Sequence, residues 1–324
     1  MNIDVIIIGG SLAGASCALE LRRLGIDALA LDRDVFPRER VCGGFLSPNA
    51  LDRLAELELL NTVRAAGAVE VDHARMATGD LECTIPFRRK GLGISRSTLD
   101  HILANAAQVQ QATTVRNVSG NAVETNRGSF TARVVIDAAG KLSRFTPRRK
   151  VPEFGVQYLE SGSRGSSLDF WFFDDGYGGA VTVEGARSNF CFLIKKDALA
   201  RYVSKANRLI TGPLAYDRSP GWSIAIGDAA GMIDPFCGEG MHHALDSGIT
   251  AARIVARGLR EKRSYAEMKQ TYELEWARRW SAKRMLASMM RLGMRHPVAV
   301  RLGLSLKPGW FLDHLWATIP ACPG

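Results

Sequence analysis

The sequence predicts an α/β protein: a parallel sheet flanked by helices, interrupted by antiparallel strands and followed by a helical tail. Three stretches predict it. In the first, Val5 to Ile8 form a continuous apolar run that turns on Gly9-Gly10-Ser11 and enters an Ala-rich segment, Ala13 to Leu24. A run without polar alternation reads as a strand buried on both faces, the mark of a parallel sheet. In the second, Ala28 to Leu31 repeats the strand pattern and ends on Asp32. In the third, Ile224 to Ile226 leads into Gly227-Asp228, a glycine-rich loop and a helix from about Met241 to Leu259.

The first stretch is chemically specific. A strand entering a helix through a glycine turn puts free N–H groups and the positive end of the helix dipole at one spot, which suits a pyrophosphate. Gly9, Ser11 and Gly14 occupy the three positions of the G-x-G-x-x-G pattern, with Ser11 replacing the middle glycine. Asp32 lies where a carboxylate accepts hydrogen bonds from a ribose. These residues predict a bound dinucleotide in a Rossmann-like unit.

The bulk composition excludes other classes. A chain of 324 residues, 46% hydrophobic and 23% charged, is ordinary for a globular protein. No window has the apolar length of a membrane span, and the Val5–Leu19 stretch reads as strand–turn–helix rather than a signal peptide. The six cysteines are scattered with no C-x-x-C. That pattern predicts no metal site, no disulfide framework and a cytoplasmic location. The net charge of +9 is concentrated late: Arg253 to Lys307 holds 14 Lys/Arg against 4 Asp/Glu, a local balance of +10. This basic C-terminal region is a solvated helix face, or a contact for a membrane periphery or an acidic carrier protein. No nucleic-acid-binding motif accompanies it.

In chain order, Asp32 is followed by a polar loop carrying Arg33, Arg38, Arg40 and Cys42-Gly43-Gly44. Ser47 and Pro48 then begin a helix. Val69 to Phe87 alternates and predicts antiparallel strands. Ser97 to Ala107 predicts a helix. Thr113–Val118, Ala122–Thr125 and Ser129–Ile136 predict a hairpin series, ending in a second candidate cofactor loop, Asp137 to Ser143. Phe145 to Lys150 crosses into an aromatic sheet, Leu168–Phe173, Ala180–Val183 and Asn189–Lys195, which is a candidate substrate wall. Tyr272, Trp276 and Trp280 share one helical face that packs on the body. Gly303 to Pro320 is an apolar end, a lid or a membrane-facing patch.

Three separated segments together resemble one superfamily, the flavin-dependent oxidoreductases of the geranylgeranyl-reductase and aromatic-hydroxylase (p-hydroxybenzoate hydroxylase-like) type. They are Ile8 to Gly14 with Asp32; Arg96-x-x-Leu99-Asp100-x-x-Leu103; and Gly227-Asp228-Ala-Ala-Gly231 with Pro235-x-x-Gly238-Glu239-Gly240. The resemblance covers most of residues 1–260. Arg40-Val-Cys-Gly-Gly44 resembles the Cys-Gly-Gly loop of the geranylgeranyl-reductase branch. Two features depart from the pattern. The family's Asp-Gly after the hairpin reads Ala139-Gly140, and the branch's Trp and Phe-Pro after Tyr177 are missing. No Trp-x-Trp-x-Ile-Pro of the flavin halogenases is present.

The resemblance implies a Rossmann-like FAD-binding domain of the glutathione-reductase type, formed by residues 1–68, 92–146 and 214–260. An inserted antiparallel β-sheet substrate domain takes 69–91 and 147–213, and residues 261–324 form the helical C-terminal tail. It implies FAD, with NAD(P)H as electron donor. Gly9, Ser11 and Gly14 would meet the pyrophosphate, Asp32 with Arg33 the adenosine end, and Arg40 and Arg96 the phosphate charge. Asp228 would hold the ribityl chain. Pro235, Gly238, Glu239, Gly240 and Met241 would lie beside the ring. Cys42 is the candidate proton donor, or a residue that shapes the pocket. His243 is a candidate proton relay, with a structural histidine as the alternative. The expected activity is a geranylgeranyl-reductase-like oxidoreductase on an apolar small molecule, prenyl, aromatic or polyketide-like. The alternatives are a monooxygenase on an aromatic or polyketide substrate, and a non-catalytic flavin-binding protein.

Overall fold

The computed structural model describes residues 2–146, 150–203, 207–217, 221, 223–294 and 297–305. Residues 147–149 of the basic crossing and 306–320 of the apolar end lie outside these. The chain opens with β1 (Asn2–Ile8), α1 (Leu12–Arg23), β2 (Ala28–Leu31), β3 (Phe45–Leu46), α2 (Pro48–Glu56), α3 (Leu60–Ala65), β4 (Val69–Thr78), β5 (Leu81–Gly93) and α4 (Arg96–Ala106). It continues with β6 (Val115–Ser119), β7 (Ala122–Thr125), β8 (Gly128–Asp137), β9 (Glu153–Ser161), β10 (Ser167–Phe173), β11 (Gly176–Val183) and β12 (Arg187–Lys195). It closes with α5 (Leu199–Val203), β13 (Leu209–Thr211), β14 (Ile224–Ala225), α6 (Gly240–Arg260), α7 (Tyr265–Met294) and α8 (Pro297–Ser305).

The first sheet has the order β2-β1-β8-β7-β6, with β14 also pairing β8. β1 pairs parallel to both β2 and β8, and β14 pairs parallel to β8. Val5, Ile6 and Ile7 are fully buried, as a central strand of a parallel sheet requires. The segment β6–β7–β8 is an antiparallel hairpin series.

α1 and α6 cover this sheet together and cross in close contact. A Cβ on Gly248 would lie 2.4 Å from the Ala13 carbonyl oxygen, so only glycine permits the approach.

The second sheet runs β13-β9-β12-β11-β10-β4-β5-β3. It is antiparallel except at β10–β4, which pair in parallel. Phe45–Leu46 and Leu92–Gly93, which the sequence places in the nucleotide-binding unit, are strand residues of this second sheet. The Cys42-Gly-Gly loop therefore feeds directly into the sheet rather than turning straight into α2. Phe170, Phe172 and Tyr177 on its inner face pack against Phe236. Tyr272, Trp276 and Trp280 on α7 are at most 2% exposed and bind the tail to α6. No helix among the described residues is long and apolar enough to cross a membrane.

Candidate active site

Two helix N-termini define the site. α2 and α4 are capped by Ser47 and Ser95, whose side chains accept from Ala50 and Thr98 N–H. α1 and α6 begin at Ser11 and Glu239 with no side-chain cap. Their first N–H groups and positive dipole ends are left for a ligand. Gly9 has φ +110°, and a Cβ on Gly14 would lie 1.8 Å from the Gly9 carbonyl oxygen. These two glycines let the turn fold back on the strand. Gly43, Gly140 and Gly240 instead face open space.

Each predicted cofactor residue has a defined place. Ser11 Oγ donates to Asp100 Oδ2 at 3.0 Å and accepts from Arg96 Nη2 at 2.8 Å. Arg96 also holds Asp100 through Nε at 2.9 Å. Burial opposes the Arg96 charge, but Asp100 and neighbouring Cys42 more than offset it and raise its pKa. Asp32 is buried, and its Oδ2 accepts from Gly10 N–H at 2.8 Å. The carboxylate thus fixes the glycine turn. Arg33 points outward beside Asp34, at 64% side-chain exposure, and is not drawn in with the others. Arg40 lies near Asp34 at 3.7 Å; burial, then Arg38 and Arg96, lower its pKa.

Asp228 sits in a short 3-10 turn, Gly227–Ala229, packed against the turn Gly140–Leu142. Pro235 starts another turn whose Asp234 accepts from Phe236 N–H. Gly238 is left-handed, at φ +65°. Met241 is buried in the core. Glu239 accepts from His242 at 2.6 Å and from Lys283 at 3.2 Å. Burial raises its pKa, but the contacts with His242 and Lys283 outweigh it and hold it at about 2.

Cys42 lies on the inner face of the second sheet. Its N–H donates to Gln157 Oε1 at 2.9 Å, and its carbonyl accepts from Asn189 Nδ2 at 2.9 Å. Gln157 and Asn189 are buried and bonded to each other at 2.7 Å. Cys191 is the cross-strand partner of Gln157, and burial pushes its thiol up to about 12. His243 is elsewhere. It is fully buried between α6 and α7, and its Nε2 accepts from Trp276 Nε1 at 3.0 Å. Burial holds it neutral, lowering its pKa to about 4. The ring therefore packs as the structural alternative would have it.

Sequence reasoning passed over Gln157, Asn189, Cys191 and Asp234, and took Lys141 only as part of the candidate loop Asp137 to Ser143. Burial lowers the Lys141 pKa, and Arg40 and Arg96 add to this against the pull of Asp228. The available signal for Gln157 and Asn189 was an amide on the apolar face of a strand, where a buried polar group needs a specific partner. Farther along the inner face, Tyr177 donates to Asp234 Oδ1 at 2.9 Å, and burial raises Asp234 to about 6. Beyond lies a cavity of about 340 Å³ walled by Phe172, Tyr177, Leu193 and Val300, with Glu153 and Arg291 at its polar side.

Taken together, Arg40, Arg96 and Lys141 repel one another, and Arg96 bonds Ser11 at the uncapped end of α1. An anionic pyrophosphate would relieve that repulsion and satisfy the helix N–H groups, so the residues fit a dinucleotide.

A family model described as an FAD binding domain matches residues 2–148. The digeranylgeranylglycerophospholipid reductase 2 of Methanothermobacter thermautotrophicus is 25% identical, over 86% of this chain and 84% of its own. The chain carries an FAD-binding domain and is an FAD-dependent oxidoreductase. A second relative of this flavoenzyme, the menaquinone reductase of Mycobacterium tuberculosis, is 25% identical over 78% of this chain and 76% of its own. Among solved structures, the flavin-dependent brominase Bmp2 superposes with TM-score 0.80 at 18% identity, covering 97% of this chain and 92% of that one. PqsL of Pseudomonas aeruginosa, described as a probable FAD-dependent monooxygenase, gives 0.74 at 15% identity over 98% and 100%. At these identities the two structures establish a shared fold.

Proposed function

We propose that this flavoenzyme reduces an apolar small molecule, prenyl, aromatic or polyketide-like, and that NAD(P)H supplies the electrons. The observation that carries the reading is Cys42: its backbone is clamped by two buried amides onto the inner face of the sheet, the face that farther along walls a cavity of about 340 Å³ with Phe172, Tyr177 and Leu193. The two reductase relatives support the same direction.

Bound FAD supplies two-electron chemistry. The chain's own residues do the rest. Gly9, Ser11 and Gly14 at the α1 end, with Arg40, Arg96 and Lys141, bind and neutralise the pyrophosphate, and Asp228 orients the sugar chain. The α6 N-terminus at Gly240, which lacks a side-chain cap, would offer its partial positive charge to a bound flavin. Gln157 and Asn189 fix the Cys42 backbone and Arg96 holds its side chain, so the thiol would give its proton to a substrate carbon from a defined place. Phe172, Tyr177 and Leu193 exclude water from the substrate path.

The test is one experiment on the FAD-loaded protein. It is reduced anaerobically with NADPH or NADH in the presence of candidate prenyl and aromatic substrates, and flavin absorbance is followed before and after oxygen is admitted. Reoxidation by substrate before oxygen enters supports the reductase. Reoxidation only with oxygen, and oxygen found in product, replaces it with the monooxygenase. Cys42→Ser is expected to retain FAD and lose most turnover; unchanged turnover removes the thiol from the chemistry.

A further inference from the structure

α7 is apolar on two opposite faces. One face, Met268, Tyr272, Trp276 and Trp280, is buried against α6 and the body. The other is in solvent: Leu274 is 67% exposed, Met285 and Met289 64% each, and Leu292 63%. Leu274, Met285 and Leu292 are separated by three turns and then two, and Met289 is one turn from Met285. They form a stripe about 27 Å long at 1.5 Å per residue. Leu302 on α8 is 62% exposed as well. Among the described residues, five of the eight exposed large hydrophobic side chains lie on these two helices. Scattered exposed apolar residues need no explanation; a row of them on one helix does.

The segment that carries the stripe is basic overall. Exposed Arg257, Arg260, Lys262 and Arg263 end α6 and form the turn before α7, with Glu261 as the one acid among them. Arg278 lies within the stripe, paired with Glu275, and Arg301 beside Leu302, paired with Asp80, each with about half its side chain in water. They belong to the +10 segment of residues 253–307. An apolar stripe on a helix in a basic segment is the pattern of a helix lying in a membrane interface. Basic side chains near an anionic leaflet add attraction that salt screens.

We propose that the outer face of α7, with Leu302 of α8, docks this protein on an anionic lipid surface. Leu274, Met285, Met289 and Leu292 enter the headgroup region, and the flanking arginines meet lipid phosphates. Met285 and Met289 suit this role because unbranched thioether side chains adapt to an irregular surface. The same two helices supply Arg291 and Val300 to the 340 Å³ cavity. Docking by this face therefore brings the cavity's helical wall to the lipid. The inference does not depend on the redox reading, because its measurement uses no turnover.

The full-length protein is mixed with sucrose-loaded vesicles of phosphatidylcholine and phosphatidylglycerol at 3:1, or of phosphatidylcholine alone, and sedimented at low and high salt. Pelleting with the anionic vesicles is expected, falling at least tenfold in high salt or on phosphatidylcholine alone. Met285→Glu with Met289→Glu should reduce pelleting at least tenfold while the thermal melt and FAD content stay as in the parent. Leu274→Ser with Leu292→Ser should act the same way and serves if the first pair does not fold. Protein that stays in the supernatant overturns the proposal, including where it instead binds an acidic carrier protein. So do stripe variants that pellet like the parent, or equal pelleting on neutral vesicles. A dimer that the stripe variants dissolve, without vesicle binding, would make the face an interface between copies and overturn it too.

Discussion

His243 shows how a side chain next to a functional loop can serve the fold. Its Nε2 accepts from Trp276, Trp280 packs against the ring, and no solvent reaches it. Burial lowers its pKa to about 4, with Arg284 and His242 adding to this and Asp228 and Asp246 opposing it. Between the unfolded value of 6.5 and about 4, the unfolded chain binds a proton that the folded chain does not. Stability therefore falls as pH drops through that window, by about 2 kcal/mol at pH 5 for this group alone. Asp246 and Glu239, both held near 2 in the fold, add a second loss at lower pH, as their carboxylates must be protonated. His243→Gln keeps an acceptor for Trp276 and removes the first window. Urea denaturation of parent and variant at pH 7 and pH 5 checks this: the parent should lose stability between the two and the variant should lose markedly less. Equal losses would show that another group carries the pH dependence. At this scale the sequence identified His243 by its position after the glycine loop, but not its direction. Both His242 and His243 are buried against Trp280, and only the partner helix determines what each ring bonds.

At the scale of elements, the crossing of α1 and α6 joins two segments more than 200 residues apart. Both helices keep small residues at the contact, Ala13, Cys17, Gly248 and Ala252, all buried. A Cβ at position 248 would stand 2.3 Å from Ser16 Oγ and 2.4 Å from the Ala13 carbonyl oxygen. Alanine favours a helix over glycine by about 1 kcal/mol, yet here the backbone oxygen cannot move aside without separating the helices. Gly248→Ala is expected to destabilise the protein by roughly 2 kcal/mol net, read as a lower denaturant midpoint with an unchanged slope. A midpoint equal to or above the parent would mean that the helices separate at little cost. The strands and helices themselves were legible: β1 from its unbroken apolar run, α1 from the glycine turn, and α7 from Tyr272, Trp276 and Trp280. The pairing of β3 with β5 was not, because a two-residue strand has no periodicity to read. The parallel contact of β10 with β4 was also hidden, since alternation reveals a strand's faces and not its neighbour.

At the scale of the whole molecule, the candidate site belongs to no single stretch of chain. Gly9, Ser11 and Asp32 come from the first strands, Cys42 from the loop that leads into the second sheet, and Arg96 from α4. Gln157 and Asn189 come from β9 and β12, and Asp228 and Gly240 from the far end. The glycine and Asp motifs were readable because a backbone that must approach a ligand restricts which residues it tolerates. The amide clamp on Cys42 was not, because it depends on two strands meeting a loop more than 100 residues away. The FAD-domain match ends at residue 148, before β14, the Asp228 turn and the second uncapped helix end. Residues 1–148 alone would retain β1, β2 and β8 but expose the face of α1 that Gly248 covers, and would lack the α6 end assigned to the cofactor ring. That fragment is therefore expected to aggregate, or to stay soluble without retaining FAD, whereas the full chain melts at a higher temperature when FAD is added, as ligand binding to the folded state requires. Circular dichroism and flavin content of the two proteins, purified alike, decide it. A cooperatively melting fragment with stoichiometric FAD would show that the first 148 residues are a sufficient cofactor domain and that α6 contributes nothing to holding the flavin.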